Sequence, residues 1–104
     1  MAQEKEAVLE TIDAIKENVD LFYQQKQKKA LQELDGVLAK IMGAVDVLFQ
    51  YKAGHAEFPL DEVKITESLK EAMEALQNKD YVLLADILQY DFVEYMEELT
   101  QDME

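Results

Sequence analysis

Helix-ending residues are scarce in this chain and largely gathered in one place. Of three glycines and one proline, Gly54 and Pro59 fall within the stretch AGHAEFPLD, from Ala53 to Asp61. That stretch reads as a central loop. On either side of it the apolar residues recur at spacings of three and four, the period of a helical face, and no segment reads as a strand. The fold class is therefore all-α.

Val8, Ile12, Ile15, Val19 and Phe22 form one such face and place a first helix at about residues 3 to 24. The polar run QQKQKK interrupts the pattern. Leu31, Leu34, Leu38, Ile41, Val45 and Leu48 resume it in a second helix, about 28 to 51, with a heptad-like seam. Ala30, Val37, Met42, Ala44 and Phe49 widen that seam, so this helix is expected to be buried against more than one neighbour. After Pro59, the residues Val63, Ile65, Leu69, Met73 and Leu76 share one side of a third helix, about 61 to 78. Asp61 can cap its start, or Ser68 with Glu71 can form a capping box if it begins later. QNKD then marks a tight turn, with Asn78 as the C-terminal residue and Asp80 as the N-cap of a fourth helix, about 81 to 102.

Helices joined by short polar turns pack as antiparallel neighbours. The expected architecture is a four-helix up-down bundle built from two antiparallel helical hairpins, in one domain over residues 1–104. A chain of this size buries roughly two-thirds of its unfolded surface. The hairpins can be overlaid with Lys28 on Lys79, Asp35 on Asp86 and Leu48 on Leu99, through duplication or because two hairpins that each bury one face look alike. Gly36 and Gly43 share a face of the second helix, where they either admit a close neighbour or mark a bend.

The chemistry on offer is narrow. The chain has no cysteine, one histidine (His55, in the central loop), one serine (Ser68) and no arginine. The paired Glu-x-x-His motifs of di-iron bundles cannot be assembled, and neither a glycine-rich phosphate loop nor a nucleophile with its base is present. Glu67, Glu71 and Glu74 share a face of the third helix, but Lys64 and Lys70 are interleaved at pairing distance, as on any solvated stripe. No catalytic residue, metal site or cofactor is expected, and the protein is read as a non-enzyme. The five methionines, Met73, Met96 and Met103 among them, suit core filling or an adaptable surface.

Net charge is -13, with ten lysines against 23 acids. Such a balance disfavours nucleic acid and anionic membrane surfaces, which select basic patches, and Lys26, Lys28 and Lys29 near the first turn are too few to reverse it. The opening MAQEKEAVLE lacks the cationic and apolar regions of a signal peptide. No apolar run approaches the roughly 20 residues that span a bilayer, so a cytoplasmic location is expected.

The closing segment YVLLADILQYDFVEYMEELTQDME is the exception to this plainness. Tyr81, Leu84, Ala85, Leu88, Phe92, Tyr95, Met96, Leu99 and Met103 make one stripe that suffices for docking into a bundle. Leu83, Ile87 and Tyr90 make a second stripe beside it, with Val82 and Val93 on a third row. No helix of a four-helix bundle is central, so three arrangements remain open: the loop GHAEFPL or a displaced first helix covers the second stripe, a second copy covers it, or it lines a groove for a partner helix. From Asp80 onward there are eight acids and no base. Glu97, Glu98, Asp102 and Glu104 lie where the helix dipole makes acids unfavourable by about a few tenths of a kcal/mol each. They form either a solvated tail or a docking site for a basic partner.

The pattern YVLLADILQYDFVEYMEEL, with the size and acidity of the chain, resembles small acidic helical proteins of unknown function from low-GC bacteria. In architecture the chain is also similar to flagellar and type III export chaperones, and that similarity implies shielding of an apolar segment of another protein. The expected function is a non-enzymatic protein-interaction module whose partner surface comprises Leu83, Ile87, Tyr90, Glu94, Glu97 and Glu98. The alternatives are a structural homodimer using the same face and a bundle that holds a small ligand or metal on internal carboxylates.

Overall fold

The computed structural model describes residues 2–103 of the chain. The described residues are helical apart from short connections and contain no strand: α1 (Ala2–Tyr23), α2 (Gln27–Gly54), α3 (Glu62–Gln77), α4 (Tyr81–Asp86), a π-helical segment (Ile87–Val93) and α5 (Glu94–Gln101). The last three run on without a break, since Asp86, Ile87, Val93 and Glu94 at their junctions all keep right-handed helical angles. They form one composite last helix.

Local chemistry sets the ends of these elements. The Asp61 carboxylate accepts from the Lys64 N–H at 3.1 Å and the Asp80 carboxylate from the Leu83 N–H at 3.1 Å, each satisfying one of the unpaired donors of a first turn. Asp61 is thus the cap of α3, while Ser68 is buried within that helix and starts nothing. Both tight turns close as Schellman motifs. Lys26 N–H donates to Leu21 O and Gln25 N–H to Phe22 O; Asp80 N–H donates to Ala75 O and Lys79 N–H to Leu76 O. Gln25 (φ 63°) and Lys79 (φ 56°) occupy the left-handed position usually taken by glycine. The left-handed residues of the two turns, Gln25 and Lys79, are 54 positions apart, whereas the overlay of the hairpins runs at an offset of 51.

The stripe Val8, Ile12, Ile15, Val19 and Phe22 of α1 is buried throughout. On its α2 side, Asn18 Nδ2 donates to Ala30 O at 3.0 Å and Thr11 Oγ1 to Lys40 O at 3.3 Å, so the two helices run in opposite directions. The helix backbones come close between α1 and α2, between α1 and the last helix, and between α3 and the last helix. The last helix therefore lies between α1 and α3. A helix walled on two sides needs apolar residues over much of its circumference, and that is why Ile87 and Val93, off the main stripe, are buried as well.

The π-helical segment adds one residue to an otherwise regular pattern. The buried residues Ala30, Leu34, Val37, Ile41, Ala44, Val45 and Leu48 of α2 have counterparts in Leu84, Leu88, Phe92, Met96, Leu99, Thr100 and Met103. The two series differ only in the extra residue between Leu88 and Phe92. The widened turn absorbs it: Glu94 N–H donates to Gln89 O, five residues back instead of four. Burying Phe92 and Met96 contributes about 1.5–3 kcal/mol each, whereas one compromised hydrogen bond costs about 1 kcal/mol. Packing prevails over helix regularity.

The central loop is fastened rather than loose. Lys52 Nζ donates to Ala56 O at 2.8 Å and Phe58 O at 2.7 Å, and Tyr51 stacks on His55 with ring centroids 3.9 Å apart and meets Phe58 edge-on at 4.8 Å. Asp61 N–H donates to the Tyr95 hydroxyl at 2.8 Å, so the loop caps the α5 end of the last helix and leaves Leu83 and Tyr90 uncovered. Gly36 and Gly43 lie within the unbroken α2, with nothing within 4 Å of where a Cβ would stand, so neither admits a close neighbour nor ends the helix.

Candidate functional site

Two contacts define the seam between α1 and the last helix. The Tyr23 hydroxyl donates to Asp86 Oδ1 at 2.6 Å, and Lys16 Nζ donates to Glu97 Oε2 at 3.1 Å. Asp20 lies between Tyr23 and Lys16 on the same α1 row, and Tyr90 and Glu94 lie between Asp86 and Glu97 on the facing row, one helical turn apart. The seam thus carries two phenol rings and four carboxylates, one of them paired with Lys16.

Beside Asp86 the surface becomes apolar. Tyr23, Val82, Leu83 and Tyr90 are 46, 68, 46 and 59 % exposed, although each is large and hydrophobic. Val82 and Leu83 precede Asp86 by one turn and Tyr90 follows it by one turn, so all three surround the residue that holds Tyr23. The Tyr23 phenol is pushed up to about 12, first by its hydrogen bond to the Asp86 carboxylate, then by burial, by the Asp86 charge and by Tyr90. It stays protonated and keeps donating to Asp86 throughout the neutral range. At the tip, Phe22 stacks on Tyr81 with centroids 5.9 Å apart, and a recess of about 340 Å³ opens between Tyr23, Gln25, Tyr81 and Val82.

The residues expected from sequence divide as follows. Leu83, Tyr90, Glu94 and Glu98 are exposed, and Glu97 is half-buried and engaged with Lys16. Ile87 is the correction: it is 5 % exposed, in the core between the flanking helices, and offers nothing to a partner. Tyr23, Asp86, Val82 and Asp20 were not anticipated as members of the surface. Tyr23 carried a signal all the same, as an aromatic residue one position beyond the buried stripe that ends at Phe22.

Elsewhere, a cavity of about 500 Å³ lies between Tyr51, His55, Phe58, Pro59 and Asp102. A polar groove of about 360 Å³ runs between α3 and Asp91, lined by Asp61, Lys64, Glu67 and Glu71, with the Lys64 ammonium 5.1 Å from the Tyr95 ring centroid. Of the methionines, Met96 and Met103 are buried, and Met73 is 42 % exposed. Among the described residues, no three His, Cys, Asp or Glu side chains are grouped to hold a metal ion, and no helix is long and apolar enough to cross a membrane.

No curated protein and no solved structure matches the chain. A family model, described as a domain of unknown function, DUF8042, matches residues 1–102 and so covers nearly the whole of it. On that match the chain belongs to the DUF8042 family.

Proposed function

We propose that this protein is a non-enzymatic interaction module that docks a segment of another protein on the surface formed by Tyr23, Val82, Leu83 and Tyr90. One observation carries the reading: four large apolar side chains remain 46–68 % exposed around a single residue, Asp86, while Leu84, Ala85, Ile87 and Leu88 beside them are buried. Contiguous exposed apolar surface with a polar rim is the usual mark of a protein interface, and tyrosine is enriched at the centres of such interfaces. The frame of this surface is an up-down four-helix bundle, a reading supported by the opposite directions of α1 and α2 and by the two tight turns. Shielding of an apolar segment, as export chaperones do, is one form this function can take.

A structural homodimer through the same surface is disfavoured by charge, because each copy carries a net -13 and the acids rim the patch itself. The experiment is affinity capture with the wild type and with Leu83→Glu and Tyr90→Glu, beside Val63→Glu, which alters an equally exposed apolar residue on α3. The same proteins lost from both patch variants and retained by Val63→Glu would support the reading. Retention by every variant would refute it. A solution mass of twice 12.0 kDa that falls to the monomer value in the patch variants would establish the homodimer instead.

A further inference from the structure

Resting on that reading, we infer that the docked segment is basic, and that one of its lysine or arginine side chains lies over the Tyr90 ring among Asp20, Asp86 and Glu94. The two pinned ends of the seam place these groups together. Asp20 is three residues before Tyr23 and four after Lys16; Tyr90 is four after Asp86, and Glu94 is four after Tyr90. Lys16, at the far end of this stretch, is engaged with Glu97. Between the pins, the exposed Tyr90 phenol has Asp86 and Glu94 one turn to either side on its own helix and Asp20 on the facing row of α1.

That combination recognises a cation in two ways. The ring face attracts an ammonium or guanidinium through its quadrupole, and the carboxylates attract it by charge and accept its hydrogen bonds. Neither works for an anion, so phosphate backbones and anionic lipid surfaces are repelled, and a second copy of this chain would bring the same carboxylates against it. The Tyr90 ring is left open because the phenol held by Asp86 is that of Tyr23.

The apolar part of the surface sets the remaining chemistry. Leu83 and Tyr90 are seven residues apart, which is two helical turns and about 10 Å along the axis. A helical partner matches this with an apolar side chain over Leu83 and Val82, and a lysine or arginine two turns away over Tyr90. Glu98, which works against the dipole of the last helix and is exposed, then extends the attraction along the partner.

The test uses a synthetic amphipathic peptide of leucine, lysine and alanine with leucine and lysine two turns apart on one face, and a second peptide with glutamine at every lysine. Each is titrated into the full chain and followed by residue-resolved NMR. The basic peptide is expected to perturb Tyr23, Leu83 and Tyr90 saturably. Its affinity should fall by about tenfold in Tyr90→Leu and in the pair Asp20→Asn with Glu94→Gln, but by less than about twofold in the charge-matched pair Glu67→Gln with Glu71→Gln on α3. Equal losses in the two charge-neutralised pairs would overturn the inference, because general attraction to an acidic protein would then account for binding. If the glutamine peptide binds the same residues as tightly, the basic partner is refuted while the docking surface stands. If neither peptide perturbs the patch, both fall.

Discussion

The phenol of Tyr23, at the end of α1, donates a 2.6 Å hydrogen bond to the carboxylate of Asp86, the last residue of α4. It joins the first helix to the last across the full length of the intervening chain, and it leaves Tyr90 as the open aromatic ring of the seam. It also ties stability to pH. The folded-state phenol is raised from 10.0 to about 12, chiefly by that bond, so the fold favours the protonated form. The contribution is complete below pH 10 and is lost as pH rises through about 12.

Tyr23→Phe should therefore destabilise the protein at neutral pH by less than about 1 kcal/mol, since both partners are partly solvated. The difference from wild type should shrink as pH rises from 10 towards 12. Urea unfolding of both proteins over this range checks it; a difference that stayed constant would show that the hydrogen bond does not set the titration of Tyr23.

Ile87→Glu and Tyr90→Glu separate core from surface on the same segment. Ile87 is 5 % exposed and Tyr90 is 59 % exposed. The first substitution buries a carboxylate without a partner and should cost about 3 kcal/mol or more; the second should change stability by about 0.5 kcal/mol or less. Helicity and urea midpoints report both, and a well-folded Ile87→Glu protein would contradict the placement of that side chain.

Deleting Gln89, within the π-helical segment, should be tolerated. Removing one residue there lets Glu94 bond four residues back and brings Leu88 and Phe92 to the spacing that Leu34 and Val37 have in α2. The expected change is within about 2 kcal/mol, the scale of a rearranged hydrogen bond. Deleting Ala39, exposed in the regular α2, instead turns its buried residues off the core and should remove cooperative unfolding. Thermal melts of the two deletions should differ sharply; similar melts would mean that the widened turn is not the site of the extra residue.

Two single substitutions should stabilise the chain without touching the seam. Gly43→Ala, in open space on α2, should add about 0.5–1 kcal/mol by restricting the unfolded chain. Lys79→Gly relieves a left-handed residue at φ 56° and should add up to about 1 kcal/mol. Denaturant midpoints measure both, and a loss in Lys79→Gly would point to a role for the lysine side chain that outweighs its backbone strain.

What the sequence determined by itself is local. The period of three and four put Val8, Ile12, Ile15, Val19 and Phe22 on one buried face, and short acidic side chains at Asp61 and Asp80 marked helix starts because a cap needs only its own next turn. Tertiary structure decided the rest. The π-helical turn has no residue signature; it exists because Leu84, Leu88, Phe92 and Met96 must all reach one core, and the burial of Ile87 followed from the helices that flank it. The Tyr23–Asp86 bond spans 63 positions, and no periodicity within either helix could reveal it. Leu83 and Tyr90 could be read as apolar residues in excess of what one stripe needs, but which of their neighbours would be carboxylates, and which would be core, depended on how α1 and α3 came to flank the last helix.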